Sequence, residues 1–156
     1  MTRLRTPEPQ QAEILTALCL RSKAVWGYGE AFSVACRPAL TVTEDDWKQS
    51  DIQVAVQDDN IVGMVQVMYH GEVAELDKLF VDPAALGGGI GRRLFDWSVD
   101  TALRKGAKVL TIDADPGAAD FYRRLGAIDD GVTASTVIPG RFLPKLKLDL
   151  ASVRSA

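Results

Sequence analysis

The spacing of hydrophobic and polar positions changes several times along the chain, and each change marks an element. Thr2 to Thr6 reads as a short edge strand that Pro7 stops. Glu8 to Leu20 then carries Ile14, Leu15, Leu18 and Cys19 at helical spacing. After the aromatic turn Trp26-Gly27-Tyr28-Gly29, a second helix is predicted through Glu30 to Pro38, and Thr43 reads as the cap of a short turn holding Glu44, Asp45 and Asp46. From Ile52 the period becomes two. Ile52, Val54 and Val56 alternate with polar or small residues, Asp58-Asp59-Asn60 is a hairpin turn into Ile61 to Tyr69, and His70-Gly71 turns into a third strand, Val73 to Val81. These three strands are expected to form an antiparallel meander.

A long helix follows, from Ile90 to Lys105, with Ile90, Leu94, Trp97, Val99 and Leu103 near one apolar stripe and Gly106 at its carboxyl end. Val109 to Asp113 is the next strand. Pro116 opens a shorter helix with Ala119, Phe121, Tyr122 and Leu125, which Gly126 closes, and the tail carries Leu143, Leu146, Leu148 and Leu150 in strand-like alternation. That tail could complete the sheet of its own subunit or that of a partner in a homodimer.

Length and composition narrow the class. With 156 residues, 47% of them hydrophobic, and no repeat or linker, residues 1–156 are read as one α/β domain. The net charge of -3 argues against a nucleic-acid partner, which usually meets a basic face. Cys19 and Cys36 show no C-x-x-C or Cys/His spacing, so they read as small buried residues in a reducing compartment, and no metal is expected. The amino terminus lacks the apolar core of a signal peptide and no later run could span a bilayer, which points to the cytoplasm without a membrane partner.

The strongest chemical signal is Leu86-Gly87-Gly88-Gly89-Ile90-Gly91-Arg92-Arg93, between a strand and an amphipathic helix. Residues without side chains let the backbone approach a ligand, and the N–H groups and dipole of the first helical turn favour an anion by about 0.3–2 kcal/mol. A pyrophosphate suits such a turn. The dinucleotide fingerprint fails because Arg92 stands where a further glycine is needed, and no Gly-Lys-Ser/Thr triplet makes a P-loop.

This spacing resembles the coenzyme A motif of the GNAT superfamily of N-acetyltransferases, Arg/Gln-x-x-Gly-x-Gly/Ala, matched at Gly89 and Gly91. Leu79-Phe80-Val81-Asp82-Pro83 is similar to the family's central strand and its exit, and Phe121-Tyr122-Arg123-Arg124-Leu125-Gly126-Ala127 to its later helix. Arg21 to Tyr28 and Ile138 to Pro144 are similar to stretches in one bacterial subgroup. Two positions depart from the pattern: Leu86 heads the motif in place of a basic residue or glutamine, and Asp115 stands where many members carry asparagine.

The resemblance implies a central mixed, mostly antiparallel twisted sheet flanked by helices, with acetyl-CoA in a V-shaped opening between Val73–Val81 and Val109–Asp113. Gly87, Gly88, Gly89, Ile90, Gly91 and Arg92 would hold its pyrophosphate, with Arg93 a further source of positive charge. Leu79, Phe80 and Val81 would hold its pantetheine arm. Tyr122 matches the position that protonates the leaving thiolate, and Arg123 and Arg124 could meet the ribose phosphate. The acceptor would be an amine, with Trp26, Tyr28 and Phe32 near its pocket as an aromatic wall.

A charged amine must lose a proton before it attacks, and Glu75 and Asp77 are the candidate bases. Their shared parity puts both on the face expected for Val73, Leu79 and Val81. Pairing with Lys78 or Arg93 as structural ions is the alternative. His70, beside a turn glycine, is a weaker candidate. Two other functions stay open: a CoA-binding regulatory domain without turnover, and a nucleotide-phosphate binder using the same turn.

Overall fold

The predicted meander forms from β2 (Ser50–Gln57), β3 (Asn60–His70) and β4 (Val73–Val81), paired antiparallel. Asp58 and Asp59 reverse the chain between β2 and β3 with φ of 49° and 65°, a turn whose twist suits a two-residue hairpin. The structure is a computed structural model that describes residues 2–25 and 29–154. Its seven-stranded sheet has the order β1-β2-β3-β4-β5-β7-β6, with β1 (Thr2–Arg5) at one edge. β5 (Val109–Asp113) pairs parallel to β4, and every other neighbouring pair in this sheet is antiparallel. The chain therefore has the expected mixed, mostly antiparallel α/β architecture.

β7 (Phe142–Asp149) lies between β5 and β6 (Ile128–Ala134), so the leucine-rich tail completes its own sheet. Leu146 and Leu148 are buried there, whereas Leu143 is half-buried and Leu150 begins α6 (Leu150–Arg154). The edge strand β6 was not legible in the sequence. Its residues Ile-Asp-Asp-Gly-Val-Thr-Ala are all exposed except half-buried Thr133, and an irregularity between Asp129 and Val132 at Gly131 removes any clean alternation.

One face of the sheet is covered by α1 (Ala12–Ala24) and α2 (Glu30–Leu40), where Leu15, Leu18, Cys19 and Cys36 meet Val54, Val56 and Met64. α1 runs four residues beyond the predicted Leu20, which places Arg21, Ser22 and Lys23 on its last turn. α2 continues two residues past Pro38, because proline removes only one N–H; nearby, the Thr41 hydroxyl donates to the Arg37 carbonyl at 2.6 Å. The short helix α3 (Asp46–Gln49) starts differently from the expected Thr43 cap: the Thr43 N–H donates to the Asp46 carboxylate at 2.8 Å.

The opposite face carries α4 (Ile90–Arg104) and α5 (Ala119–Arg124). Ile90, Leu94 and Val99 are buried as predicted, but Phe95 and Ala102 join them while Trp97 and Leu103 are only half-buried, so the stripe is rotated toward Phe95. α4 lies close to β3 at Gly63, where an added Cβ would meet Leu94 Cδ1 at 2.9 Å and Ile90 Cγ2 at 3.1 Å. No helix among the described residues is long and apolar enough to cross a membrane.

β4 contains one extra residue. Gln66 opposes Lys78 while Val67 opposes Leu76, which leaves Asp77 in a bulge. The bulge inverts the alternation, so Ala74 and Leu76 before it and Leu79 and Val81 after it all join the α4 core. The expected common face of Glu75, Asp77, Leu79 and Val81 is therefore corrected: Glu75 alternates with Ala74 and Leu76 and points away from that core.

Candidate active site

The glycine turn is built by its backbone angles. Gly87 and Gly89 have φ of 88° and 77°, a region that residues with side chains seldom enter, and left-handed Gly89 immediately precedes α4. The first bond of the helix runs from the Arg93 N–H to the Gly89 carbonyl at 3.2 Å, leaving the N–H groups of Ile90, Gly91 and Arg92 without intrahelical acceptors. Gly91 fits where a Cβ would lie 3.2 Å from Phe121 Cζ. These amides and close approaches suit an anionic group such as a pyrophosphate.

The turn opens into a cleft of about 520 Å³. β4 and β5 are paired from Val73–Val109 to Leu76–Ile112, but β4 continues to Val81 without β5 while β5 stays with β7 through Asp113. The strands part there. Leu79 and Val81 from β4, Gly117 and Ala118 before α5, and Phe121 and Tyr122 from α5 line the cleft with the turn residues Leu86, Gly87, Gly89, Ile90, Gly91 and Arg92. Of the predicted set, Phe80 and Gly88 do not line it; Phe80 alternates to the opposite face and packs with the α1 cluster. Arg124 lines the cleft, whereas Arg123 is tied to Asp120 at 2.7 Å and to Asp129 at 3.0 Å. Arg93 turns away and donates to the Thr2 carbonyl at 2.8 Å.

Tyr122 is 7% exposed and lies against Phe95 and Phe121, with ring centroids 5.9 and 5.1 Å away. Its hydroxyl has no side-chain hydrogen-bond partner among the described residues. Burial raises its pKa above the ordinary phenol value, so the group stays a proton donor throughout the neutral range.

The candidate bases lie outside the cleft wall. The Asp77 carboxylate, at the start of the splay, accepts from Lys78 Nζ at 2.6 Å, and Lys78 also donates to Gln66 Oε1 at 3.2 Å. Glu75 stands in the paired half of β4, its Oε1 3.1 Å from His70 Nε2. Phe32 is half-buried, with Lys23 Nζ 5.8 Å and Arg141 Cζ 5.7 Å from its ring centre, so its cation contacts include side chains of the protein itself. Trp26 and Tyr28 lie outside the described residues.

Sequence reasoning missed Ser22, Ala85, Gly117 and Ala118 in the wall. Ser22 follows from the longer α1, whose extension past Leu20 carried no apolar signal. Asp115 came to notice only as a departure from pattern. It is nearly buried, accepts from Lys23 Nζ at 2.9 Å through Oδ2 and from the Gly117 N–H at 2.9 Å through Oδ1.

A family model described as Acetyltransferase (GNAT) family matches residues 21–127. The chain belongs to that family. It is 38% identical over 58 residues to an uncharacterized N-acetyltransferase of Methanocaldococcus jannaschii, a match that spans 35% of this chain and 26% of that protein's length. Among solved structures, a GCN5-related N-acetyltransferase of Rhodopseudomonas palustris superposes with a TM-score of 0.78 at 21% identity, covering 96% of each chain. The PaiA N-acetyltransferase of Thermoplasma acidophilum, solved in complex with coenzyme A, gives 0.77 at 13% identity over 96% of this chain and 99% of that one. These likenesses show the fold.

Proposed function

We propose that the chain transfers an acetyl group from acetyl-CoA to a primary amine by direct transfer in a ternary complex. One observation carries this reading: a glycine turn whose first helical amides lack intrahelical acceptors and the largely buried Tyr122 line the same cleft between parting strands. The N–H groups of Ile90, Gly91 and Arg92 hold the pyrophosphate, and Arg92 and Arg124 add positive charge beside it. Leu79 and Val81 flank the pantetheine arm, with freed β4 backbone groups available to it past Leu76.

In the transfer, the amine nitrogen bonds to the acetyl carbon as the carbon–sulfur bond breaks. The Tyr122 hydroxyl donates its proton to the departing sulfur, and Asp77 takes the amine proton through water. Asp77 is preferred to Glu75 because it sits where the strands part, whereas Glu75 lies in the paired half of β4. Holding both reactants in one cleft supplies the proximity that makes the step effectively unimolecular.

The test is thiol release from acetyl-CoA across a panel of amines, paired with calorimetry using CoA, ATP and NAD. Amine-dependent thiol release and CoA binding are expected, with Asp77→Asn slowing turnover. Tight ATP binding without CoA binding would end the reading. CoA binding with no acetylated amine would favour a non-catalytic CoA-binding domain.

A further inference from the structure

The last turn of α1 borders the cleft. Ser22 lines it, and the residues on either side, Arg21 and Lys23, are both cations. Arg21 Nη2 donates to Asp82 Oδ2 at 2.9 Å, and Lys23 Nζ donates to Asp115 Oδ2 at 2.9 Å. Asp82 is the first residue after β4 and Asp115 the second after β5, so the two acceptors stand at the ends of the two strands that part. Each aspartate uses its other oxygen on the turn that follows it. Asp82 Oδ1 accepts from the Ala84 N–H at 3.0 Å, and Asp115 Oδ1 accepts from the Gly117 N–H at 2.9 Å. Ala85, Leu86, Gly117 and Ala118, which belong to those turns or adjoin them, form part of the cleft wall.

We infer that Arg21 and Lys23 are positioning residues that set the width of the cofactor cleft by tying one helix end to both arms of the splay. The inference rests on reading the cleft as the CoA site. Ladder hydrogen bonds hold β4 to β5 only as far as Leu76 and Ile112, so the sheet does not fix the separation of the strand ends beyond them. A helix turn is stiff, and residues two apart, such as Arg21 and Lys23, stand about 200° apart around its axis, so their side chains leave on opposite sides and can brace two loops at a set distance. Charge-assisted bonds give the brace directional strength. The arms are unequal. The Lys23–Asp115 pair is the more buried, with side chains 20% and 7% exposed against 51% and 22% for Arg21–Asp82, so salt screens it less. Arg141 stands 4.0 Å from Asp115 Oδ2 and reinforces that arm.

The experiment compares the parent with Arg21→Ala/Lys23→Met and with the conservative pair Arg21→Lys/Lys23→Arg. CoA affinity is read by calorimetry, and KM and kcat by thiol release. The double variant should bind CoA roughly three- to tenfold more weakly and raise the acetyl-CoA KM more than it lowers kcat, while the conservative pair stays within about twofold of the parent. Unchanged CoA affinity in a folded double variant would overturn the inference, as would an equal loss in the conservative pair. A parent that does not bind CoA counts against the acetyltransferase reading instead. Hydrogen exchange on the parent keeps the brace testable in that case or if the double variant does not fold. Exchange at the Ala84 and Gly117 amides should quicken from low to high salt, and unchanged protection at both would overturn the brace.

Discussion

A Cβ on Gly91 would lie 3.2 Å from Cζ of Phe121 and 3.7 Å from Cγ2 of Val81, so the first turn of α4 rests directly against both β4 and α5. The turn residues Ile90, Gly91 and Arg92 line the cleft at this close approach. Gly91→Val should therefore weaken CoA binding by about tenfold or more, and Gly91→Ala by less, since only the phenyl ring must give way. Calorimetry on the two variants checks this; parent-like affinity in the valine variant would remove the need for close approach.

Tyr122 can lose its hydroxyl without orphaning a side-chain partner among the described residues. Tyr122→Phe should leave melting temperature and acetyl-CoA KM close to those of the parent while turnover falls by about 10² or more. Unchanged acetylation of every accepted amine would remove the proton-donor role.

Burial raises the pKa of Tyr122 in the folded state, and burial with the bond to Asp51 raises that of Tyr69. At these two tyrosines the folded chain keeps protons that the unfolded chain releases near pH 10, so their contribution to stability is fully present below about pH 10 and falls as pH rises beyond it. Denaturant unfolding between neutral pH and pH 11 should show this loss, and Tyr122→Phe should lessen it. A flat profile in the parent would contradict it.

Gly63 is the contact point between β3 and α4, where an added Cβ would meet Leu94 Cδ1 at 2.9 Å. Gly63→Val should cost about 1–3 kcal/mol of stability, because the overpacked helix must shift or its side chains must leave their rotamers. Urea unfolding measures the difference, and an unchanged midpoint would mean the interface can relax freely.

Burial pushes the Cys19 thiol up to about 12 and also raises that of Cys36. Both are free and buried. A disulfide thiol reagent at neutral pH should therefore react slowly with the folded chain and quickly with both cysteines in denaturant. Rapid labelling of native protein would show that α1 or α2 opens readily.

Long or strongly periodic segments were legible from sequence. The bounds of β4 and β5 were read directly, because alternating or compact apolar runs between turn residues leave few other arrangements. The glycine turn was legible as well, since the demand for positive φ at Gly87 and Gly89 is written in residue type. The edge strand β6 was not legible, because an exposed strand is specified by its partner β7 rather than by its own hydrophobicity.

The sequence by itself determined the meander, the long helix and the anion-ready turn between them, because each rests on local periodicity or on backbone freedom at one residue. Tertiary structure decided which side chains meet. The bulge at Asp77 reversed the faces of β4, turning Leu79 and Val81 to the cleft side and leaving Glu75 on the other. The parting of β4 from β5 brought Tyr122 to the turn, and Arg21 and Lys23 found Asp82 and Asp115 across 61 and 92 residues of chain. Such contacts depend on register and on packing between distant segments, which no local pattern encodes.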